Sequence, residues 1–321
     1  ADASASSART AGAVEYFAYD MTPAAELPRK YNLPLVISSF FGSEDSFTAC
    51  YRENDVPVFD SPEKAARGMA SLLRHKEIRE RRPIEQPLLP AKDPGVSRII
   101  SEALAAGQTA LDEHQAKRAL AAYGVPVTRE AIARTEEAAL NAARSIGLPV
   151  AVKACAWEIM HKSGRGLVAL NVQTEAALRT AFRAVREAAG REIPILVQAM
   201  VRGEREFVAG MTRFPGFGPC VLFGIGGIFT EAFRDTCFRS APLSAAEAEE
   251  MLSGIRARDL MGAFRGLPAV DRTALAGILQ AVGFIALLHP EIAEIDLNPV
   301  IITGSAPVVA DALFVLNPPG K

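Results

Sequence analysis

The sequence predicts an α/β protein built from two domains. Short apolar runs alternate with segments that carry helix-capping residues, and a proline-rich stretch interrupts this alternation once. The length of 321 residues suits about two domains at roughly 150 residues each, long enough for each to bury a core. Apolar residues make up 49% and charged residues 22% of the chain, which excludes global disorder.

The first convincing strand is LPLVISSFFG (Leu33 to Gly42), an apolar run ending in a glycine turn. VPVFD (Val56 to Asp60) reads as a second strand, and Ser61 with Pro62 supplies an N-cap and first-turn proline for a helix through Ala65, Met69 and Leu72. Two such units make only a small parallel layer, so residues 1–82 read as the C-terminal part of a larger α/β domain. Prolines at 83, 87, 90 and 94 then favour an extended connection, and the linker is placed at 83–97 with the second domain at 98–321.

In the second domain Asp112 caps a helix that presents Ala116, Leu120 and Tyr123 on one face and stops at Gly124. VPVTREAIA reads as a strand, Thr135 opens a helix to Gly147, and PVAVKAC (Pro149 to Cys155) and LVALNV (Leu167 to Val172) read as strands around a loop with Gly164 and Gly166. A helix from Thr174 to Ala189 and strands at Ile195–Val201 and Arg205–Met211 give a βαββ order rather than repeated βαβ units. Ser244 and Glu247 have capping-box spacing, Asp271 starts a helix to about Leu288, and IAEIDLNPVII and PVVADALFVL close the chain as strands.

Composition narrows function. Lys plus Arg total 35 against 37 Asp plus Glu, a net charge of −2, so there is no broad field for nucleic acid or an anionic membrane, and neither partner is expected. The most apolar stretches, Val221 to Phe229 and Gly283 to Leu288, fall short of the roughly 20 residues a membrane-spanning helix needs. ADASASSART has neither the basic start nor the apolar core of a secretory leader, and the cytoplasm is the expected location. Cys50, Cys155, Cys220 and Cys237 lie far apart, as buried thiols do, rather than in a disulfide or zinc pattern.

Four places carry candidate chemistry. Lys153 ends the run PVAVKAC and is either an edge lysine in water or a positioned phosphate ligand. FGIGGIFTE, with Gly224, Gly226 and Gly227, is either a tight turn or a loop whose amides approach an anion, and its spacing matches neither the dinucleotide fingerprint nor the Gly-Lys-Ser phosphate loop. EIDLNP sets Glu294, Asp296 and Asn298 on one strand face, with Asp311 in the next strand; this is either a solvated face or an oxygen set suited to magnesium. His161 stands in EIMHKSGRG beside Lys162 and Arg165, whose charges favour the neutral imidazole, a nucleophile's setting or an exposed loop. His75 and His114 fall on polar helix faces and His289 at a helix end, where no chemistry is expected.

Together these pieces resemble the NDP-forming acyl-CoA synthetases of the ADP-forming acetyl-CoA synthetase type, relatives of succinyl-CoA synthetase. The runs that carry the resemblance are AAYGVPV, LPVAVKACAWEIMHKSG, ILVQAMVRGEREFVAG, FGPCVLFGIGGIFTEAFRDTCFRSAPL and EIDLNPVII. The resemblance implies the end of a flavodoxin-like CoA-ligase domain, followed from Gln108 to Leu316 by an ATP-grasp domain. It implies that Lys153 contacts nucleotide phosphates, that the backbone at Gln198, Ala199 and Met200 forms the adenine hinge, and that Glu206 is an ATP-site acid. Gly226, Gly227, Glu231 and Arg239 match family motifs at the nucleotide, Asn298 and Asp311 resemble magnesium ligands, and His161 resembles the second phosphohistidine. Implied cofactors are ATP/ADP and Mg2+, with CoA as substrate of the complete enzyme; the partners are nucleotide, phosphate and an upstream CoA-binding/ligase portion in the same polypeptide or another subunit, within an oligomer. The family reaction converts acyl-CoA, ADP and phosphate to acid, CoA and ATP through an acyl phosphate and a phosphohistidine. The family commonly has an acid where Gly164 stands and a glycine where Leu167 stands, which would also suit a regulatory ligand-binding module without turnover, as in acetyltransferase-fused relatives.

Overall fold

The computed structural model describes residues 21–40, 46–80, 87–159, 164–227 and 235–317. The chain divides into two units between Ile84 and Glu85.

In the first unit, short helices α1 (Thr22–Ala25) and α2 (Leu27–Tyr31) precede strand β1 (Ile37–Ser38), helix α3 (Ser46–Glu53), strand β2 (Val58–Phe59) and helix α4 (Pro62–Glu80). β1 and β2 pair in parallel, Ile37 opposite Val58 and Ser38 opposite Phe59. The strand expected from Leu33 to Gly42 is thus much shorter, because only two residues of β2 offer it a ladder; residues 41 and 42 lie outside the described residues. Ser61 caps α4 through the Lys64 amide at 3.3 Å. The core of this unit is small, with Ala25, Tyr51 and Val56 buried and Ile37, Cys50 and Val58 packed on them.

The second unit begins with helix α5 (Pro94–Ala105), a correction to the extended linker expected through residue 97. Asp93 caps it through the Val96 amide at 2.9 Å, and Pro94 enters at the first turn, where its missing N–H would have had no helical partner. Strand β3 (Ala110–Leu111), helix α6 (Glu113–Ala122), strand β4 (Glu130–Ala133), helix α7 (Glu136–Ile146), strands β5 (Val150–Ala154) and β6 (Val168–Val172), helix α8 (Glu175–Ala189) and strand β7 (Ile195–Ala199) follow. Next come strands β8 (Arg205–Phe214), β9 (Gly218–Ile225) and β10 (Thr236–Ser240), helix α9 (Ala245–Gly254), a 3-10 turn at Arg256–Met261, helix α10 (Arg272–Leu288), and strands β11 (Ile292–Thr303), β12 (Ala306–Val309) and β13 (Leu313–Leu316).

The local signals set the helix starts. Asp112 with Gln115, and Ser244 with Glu247, form full capping boxes, while Thr135, Thr174 and Asp271 each accept an amide from the first turn. α8 buries only Leu178, Phe182 and Val185, one stripe at helical spacing, and turns its charged face outward. α10 buries nine residues, so it lies inside the larger core.

Two sheets result. One has four antiparallel strands in the order β4-β7-β5-β6, with α7 and α8 covering the face that carries Val150, Val152, Ala154, Ile195 and Val197. The other runs β10-β9-β8-β11-β13-β3, with β12 added to β11, and shares its core with α5, α6, α9 and α10. The strand expected across VPVTREAIA splits between them. Val127 bridges to Val309 of the larger sheet, and Glu130–Ala133 then joins the smaller one.

Buried polar groups pin the larger lobe. The Arg205 guanidinium donates to the carbonyls of Leu260, Gly262, Pro268 and Gly304 at 2.7 to 3.2 Å. His289, fully buried at the end of α10, bonds through Nε2 to the Tyr123 hydroxyl at 2.8 Å, and that hydroxyl accepts the Asp93 amide at 3.1 Å. Burial pushes the His289 imidazole below its ordinary pKa and the Tyr123 phenol above its own.

Candidate functional site

A cleft of about 610 Å³ opens between the two sheets of the second unit. Its walls follow from the period of two along the strands. Val150, Val152 and Ala154 of β5 face the helices, so Ala151 and Lys153 face the cleft. On β7 the same alternation sends Ile195 and Val197 to the core and Gln198 to the cleft, followed by Met200 just past the strand. The opposite wall is Glu206 of β8, Asp296 and Asn298 of β11, and the turn Ala310–Ala312. β11 is irregular between Leu297 and Val300, and such a bulge re-aims the intervening side chain; Asn298 falls there, at the cleft. Glu294, on the same strand face by sequence, is exposed and does not line the cleft.

Lys153 is 6% exposed, which removes the reading of an edge lysine in water. Its ammonium donates to Glu113 Oε1 at 2.7 Å and to the Ala310 carbonyl at 3.1 Å, and lies 3.5 Å from Asp311 Oδ2. An ammonium so held is already fixed at the cleft wall and has little rotamer freedom left to lose on binding an anion.

The expected hinge residues are present but divide their work. Met200 N–H donates to the Pro149 carbonyl at 3.1 Å and Ala199 N–H to the Arg129 carbonyl at 2.8 Å, so these two amides are committed to the sheet. Gln198 turns its buried side chain to Lys117 Nζ at 2.7 Å and to the Ala310 carbonyl at 3.1 Å.

The glycine pair packs against β8. A Cβ on Gly226 would stand 2.6 to 2.9 Å from backbone atoms of Phe207, and its amide donates to the Glu206 carbonyl at 2.9 Å. Gly227, at φ +69, would place a Cβ 2.5 Å from Glu206 Oε2. Only glycine permits that approach, and it sets two backbone units beside a cleft carboxylate.

Arg239 is not brought to the cleft wall; it lies on β10, with its guanidinium 3.3 Å from Glu250 of α9. His161 and Glu231 fall outside the described residues.

Asp296, Asn298 and Asp311 together supply hard oxygen donors on one wall. Among the described residues no cluster of three or more His, Cys, Asp or Glu side chains forms a metal cage. That donor set fits Mg2+, which binds through one or two carboxylates and completes its shell with water and phosphate oxygens.

Sequence reasoning missed Glu113, Lys117 and Glu130, which are buried behind the cleft. Lys117 Nζ lies 2.8 Å from Glu113 Oε1, 3.0 Å from Thr128 Oγ1 and 2.9 Å from Glu130 Oε2. His114, expected on a polar face without a role, joins the edge of this group through Glu130 Oε1 at 2.9 Å. The only available signal was the Glu113/Lys117 spacing of four on a helix whose other residues include the buried Ala116 and Leu120.

Among the described residues no helix is long and apolar enough to cross a membrane. The ATP-grasp domain family matches residues 102–316. The beta subunit of acetate–CoA ligase (ADP-forming) I from Pyrococcus furiosus is 38% identical over 226 residues, which cover 68% of this chain and 97% of that subunit. Acetate–CoA ligase (ADP-forming) I from Archaeoglobus fulgidus is 34% identical over 290 residues, 88% of this chain; the match spans 42% of that longer protein. A solved structure of the Ca. Korarchaeum cryptofilum dinucleotide forming acetyl-coenzyme A synthetase 1, in complex with coenzyme A and Ca-AMPCP, is 41% identical with a TM-score of 0.66, covering 68% of this chain and 99% of that one. The same enzyme with coenzyme A and Mg-AMPPCP, described as having its phosphohistidine segment pointing towards the nucleotide binding site, is 40% identical with a TM-score of 0.63, covering 69% and 100%. With the ATP-grasp match over two thirds of its length and near-complete coverage of an archaeal beta subunit, the chain belongs to the ATP-grasp family, in the ADP-forming acyl-CoA synthetase group.

Proposed function

We propose that this chain is the nucleotide-binding and phosphoryl-transferring part of an NDP-forming acyl-CoA synthetase, which interconverts acid, CoA and ATP with acyl-CoA, ADP and phosphate. The observation that carries the reading is the buried, pre-paired Lys153 held 3.5 Å from Asp311 in the lining of the cleft between the two sheets, which Asn298 also lines. In this reading the Lys153 ammonium binds phosphate oxygens, and the Gly226–Gly227 backbone and Glu206 shape the same end of the cleft. The base lies along the Gln198–Met200 edge; with the 199 and 200 amides bonded to the sheet, the Val201 amide is the next donor along the cleft lining. Asn298 and Asp311 would hold Mg2+, which supplies charge neutralisation at the phosphates.

The proposed nucleophile is His161. Its unprotonated ring nitrogen forms a bond to the γ-phosphorus as the bond from that phosphorus to the bridging oxygen breaks, and ADP leaves. Support comes from the Korarchaeum enzyme, whose phosphohistidine segment is described as pointing towards its nucleotide site. Leu167, where the family commonly carries glycine, is 1% exposed and packs within the smaller lobe's core. Residues 1–82 are proposed as the end of a flavodoxin-like ligase domain, with the CoA-binding portion supplied by the same polypeptide or a second subunit, in a cytoplasmic oligomer. Arg239 is retained only as a residue of the β10 motif.

Titration with MgATP tests the site. The parent is expected to bind, and Lys153→Met to weaken binding by about tenfold or more, as expected when one charge-assisted contact to an anion is lost. Equal affinity of parent and Lys153→Met would overturn the assignment.

A further inference from the structure

Behind the cleft the hydrogen bonds close into a ring. Lys153 Nζ and Lys117 Nζ both donate to Glu113 Oε1, at 2.7 and 2.8 Å. Lys117 also donates to Gln198 Oε1 at 2.7 Å, Gln198 Nε2 to the Ala310 carbonyl at 3.1 Å, and Lys153 to that same carbonyl at 3.1 Å. The ring joins α6, β5, β7 and the residue preceding Asp311, and no member of it is adjacent in sequence to another.

The placement is costly unless it serves something. Lys117 is 1% exposed and Glu113 4%, and burying ionised groups loses hydration that a well-packed apolar pair would never forfeit. Helix α6 already buries Ala116, Ala119 and Leu120 against the larger core, so the helix has an apolar anchor without the ions. One carboxylate oxygen shared by two ammonium groups has a specific electrostatic effect. Lys117 takes up part of the Glu113 charge while also pairing with Glu130 at 2.9 Å, so Lys153 is oriented by Glu113 without being fully neutralised by it. An incoming phosphate then meets a fixed ammonium that shares Glu113 with Lys117 and lies 3.5 Å from Asp311, the proposed Mg2+ ligand.

We propose that Glu113 and Lys117 are positioning residues for phosphate binding, acting through Lys153, and that Gln198 serves as a neutral link in the ring rather than as a reader of the base. This rests on the nucleotide reading of the cleft and deepens it. The ring makes a prediction about sign that mere packing does not. In Lys117→Met, Glu113 pairs more fully with Lys153 and competes with phosphate. In Glu113→Gln, Lys153 loses its anchor and faces the Lys117 charge across a neutral amide. In the double variant Glu113→Gln/Lys117→Met both conflicts at Glu113 disappear, and Glu130, which loses Lys117, keeps His114 at 2.9 Å.

The experiment is equilibrium dialysis of the full chain with MgATP and, separately, with adenosine, for the parent, the two single variants and the double variant, with folding checked by circular dichroism. Each charge variant alone is expected to weaken MgATP about tenfold, mid-range for coupling within one hydrogen-bond network. Adenosine binding stays within about twofold, and the double variant recovers most of the lost MgATP affinity. Losses that add in the double variant, or that fall equally on MgATP and adenosine, overturn the ring's role while leaving the nucleotide site standing. A parent that binds adenosine but not MgATP overturns the phosphate reading and the ring with it. If one single variant fails to fold, the other single and the double variant still decide, because recovery in the double variant is expected only from charge coupling.

Discussion

Gly226→Ala puts the contact between the glycine loop and the sheet under direct load. The new Cβ would lie 2.6 Å from the Phe207 carbonyl carbon, 2.7 Å from its oxygen and 2.9 Å from its nitrogen, all backbone atoms. Phe207 has no room to yield: it is fully buried between β9 and β11, and its ring stacks on Phe223 at 5.4 Å. The loop must therefore retreat, and doing so strains the Gly226 amide bond to the Glu206 carbonyl. Overpacking costs about 1–3 kcal/mol and the lost hydrogen bond about 0.5–1.5, so a loss of about 2–4 kcal/mol is expected. For a unit of this size that corresponds to a fall in Tm of roughly 5–15 °C. The retreat also draws Gly227 away from the Glu206 carboxylate, so MgATP affinity falls with stability. The matched control is Gly277→Ala on the exposed side of α10, where a Cβ meets nothing within 4 Å. That change is expected to stabilise by about 0.5–1 kcal/mol through helix propensity. Differential scanning calorimetry of the three proteins is the assay, and a Gly226→Ala midpoint equal to the parent's would refute the packing argument.

Two further outcomes follow from the buried polar groups. Arg205→Met leaves four carbonyls without their guanidinium but also removes a buried charge, so urea unfolding should show a net loss of about 2–4 kcal/mol; an unchanged midpoint would mean water replaces the fork. His289 has a folded pKa depressed by burial, so the unfolded state binds its proton more readily; stability is complete above the unfolded value of 6.5 and falls as pH drops through it, levelling below the lower folded value. Urea midpoints measured between pH 8 and pH 5 should fall less steeply for His289→Phe than for the parent, and parallel slopes would contradict this.

How much of this was legible depended on whether the signal was local. Asp112 with Gln115, Ser244 with Glu247, and the caps Thr135, Thr174 and Asp271 act within one helical turn, and the sequence reading placed all five helix starts correctly. Pro94 was misjudged because proline blocks helix interiors yet suits the first turn, and the difference lies in Asp93 before it. VPVTREAIA reads as one strand because nothing in its apolar pattern marks the handover from one sheet to the other between Val127 and Glu130. At the site, Lys153, Asn298 and Asp311 stood out by their places in strand patterns and took their expected roles from the resemblance to a known family, and the fold brings all three to one cleft. Lys117 was not, since its partner Gln198 is 81 residues away and a lysine on a helix is ordinarily solvated. Pairing at that distance is a property of the closed fold and leaves no periodicity behind.

In the proposed function the Lys153 cleft loads a phosphoryl group onto His161. The direct measurement is incubation with Mg2+ and ATP labelled on the γ-phosphate, scoring acid-labile, base-stable label on the parent, Lys153→Met and His161→Ala. Label is expected on the parent, strongly reduced on Lys153→Met, and absent from His161→Ala. A parent that binds MgATP without acquiring label, or label that persists in His161→Ala, would contradict the proposed function.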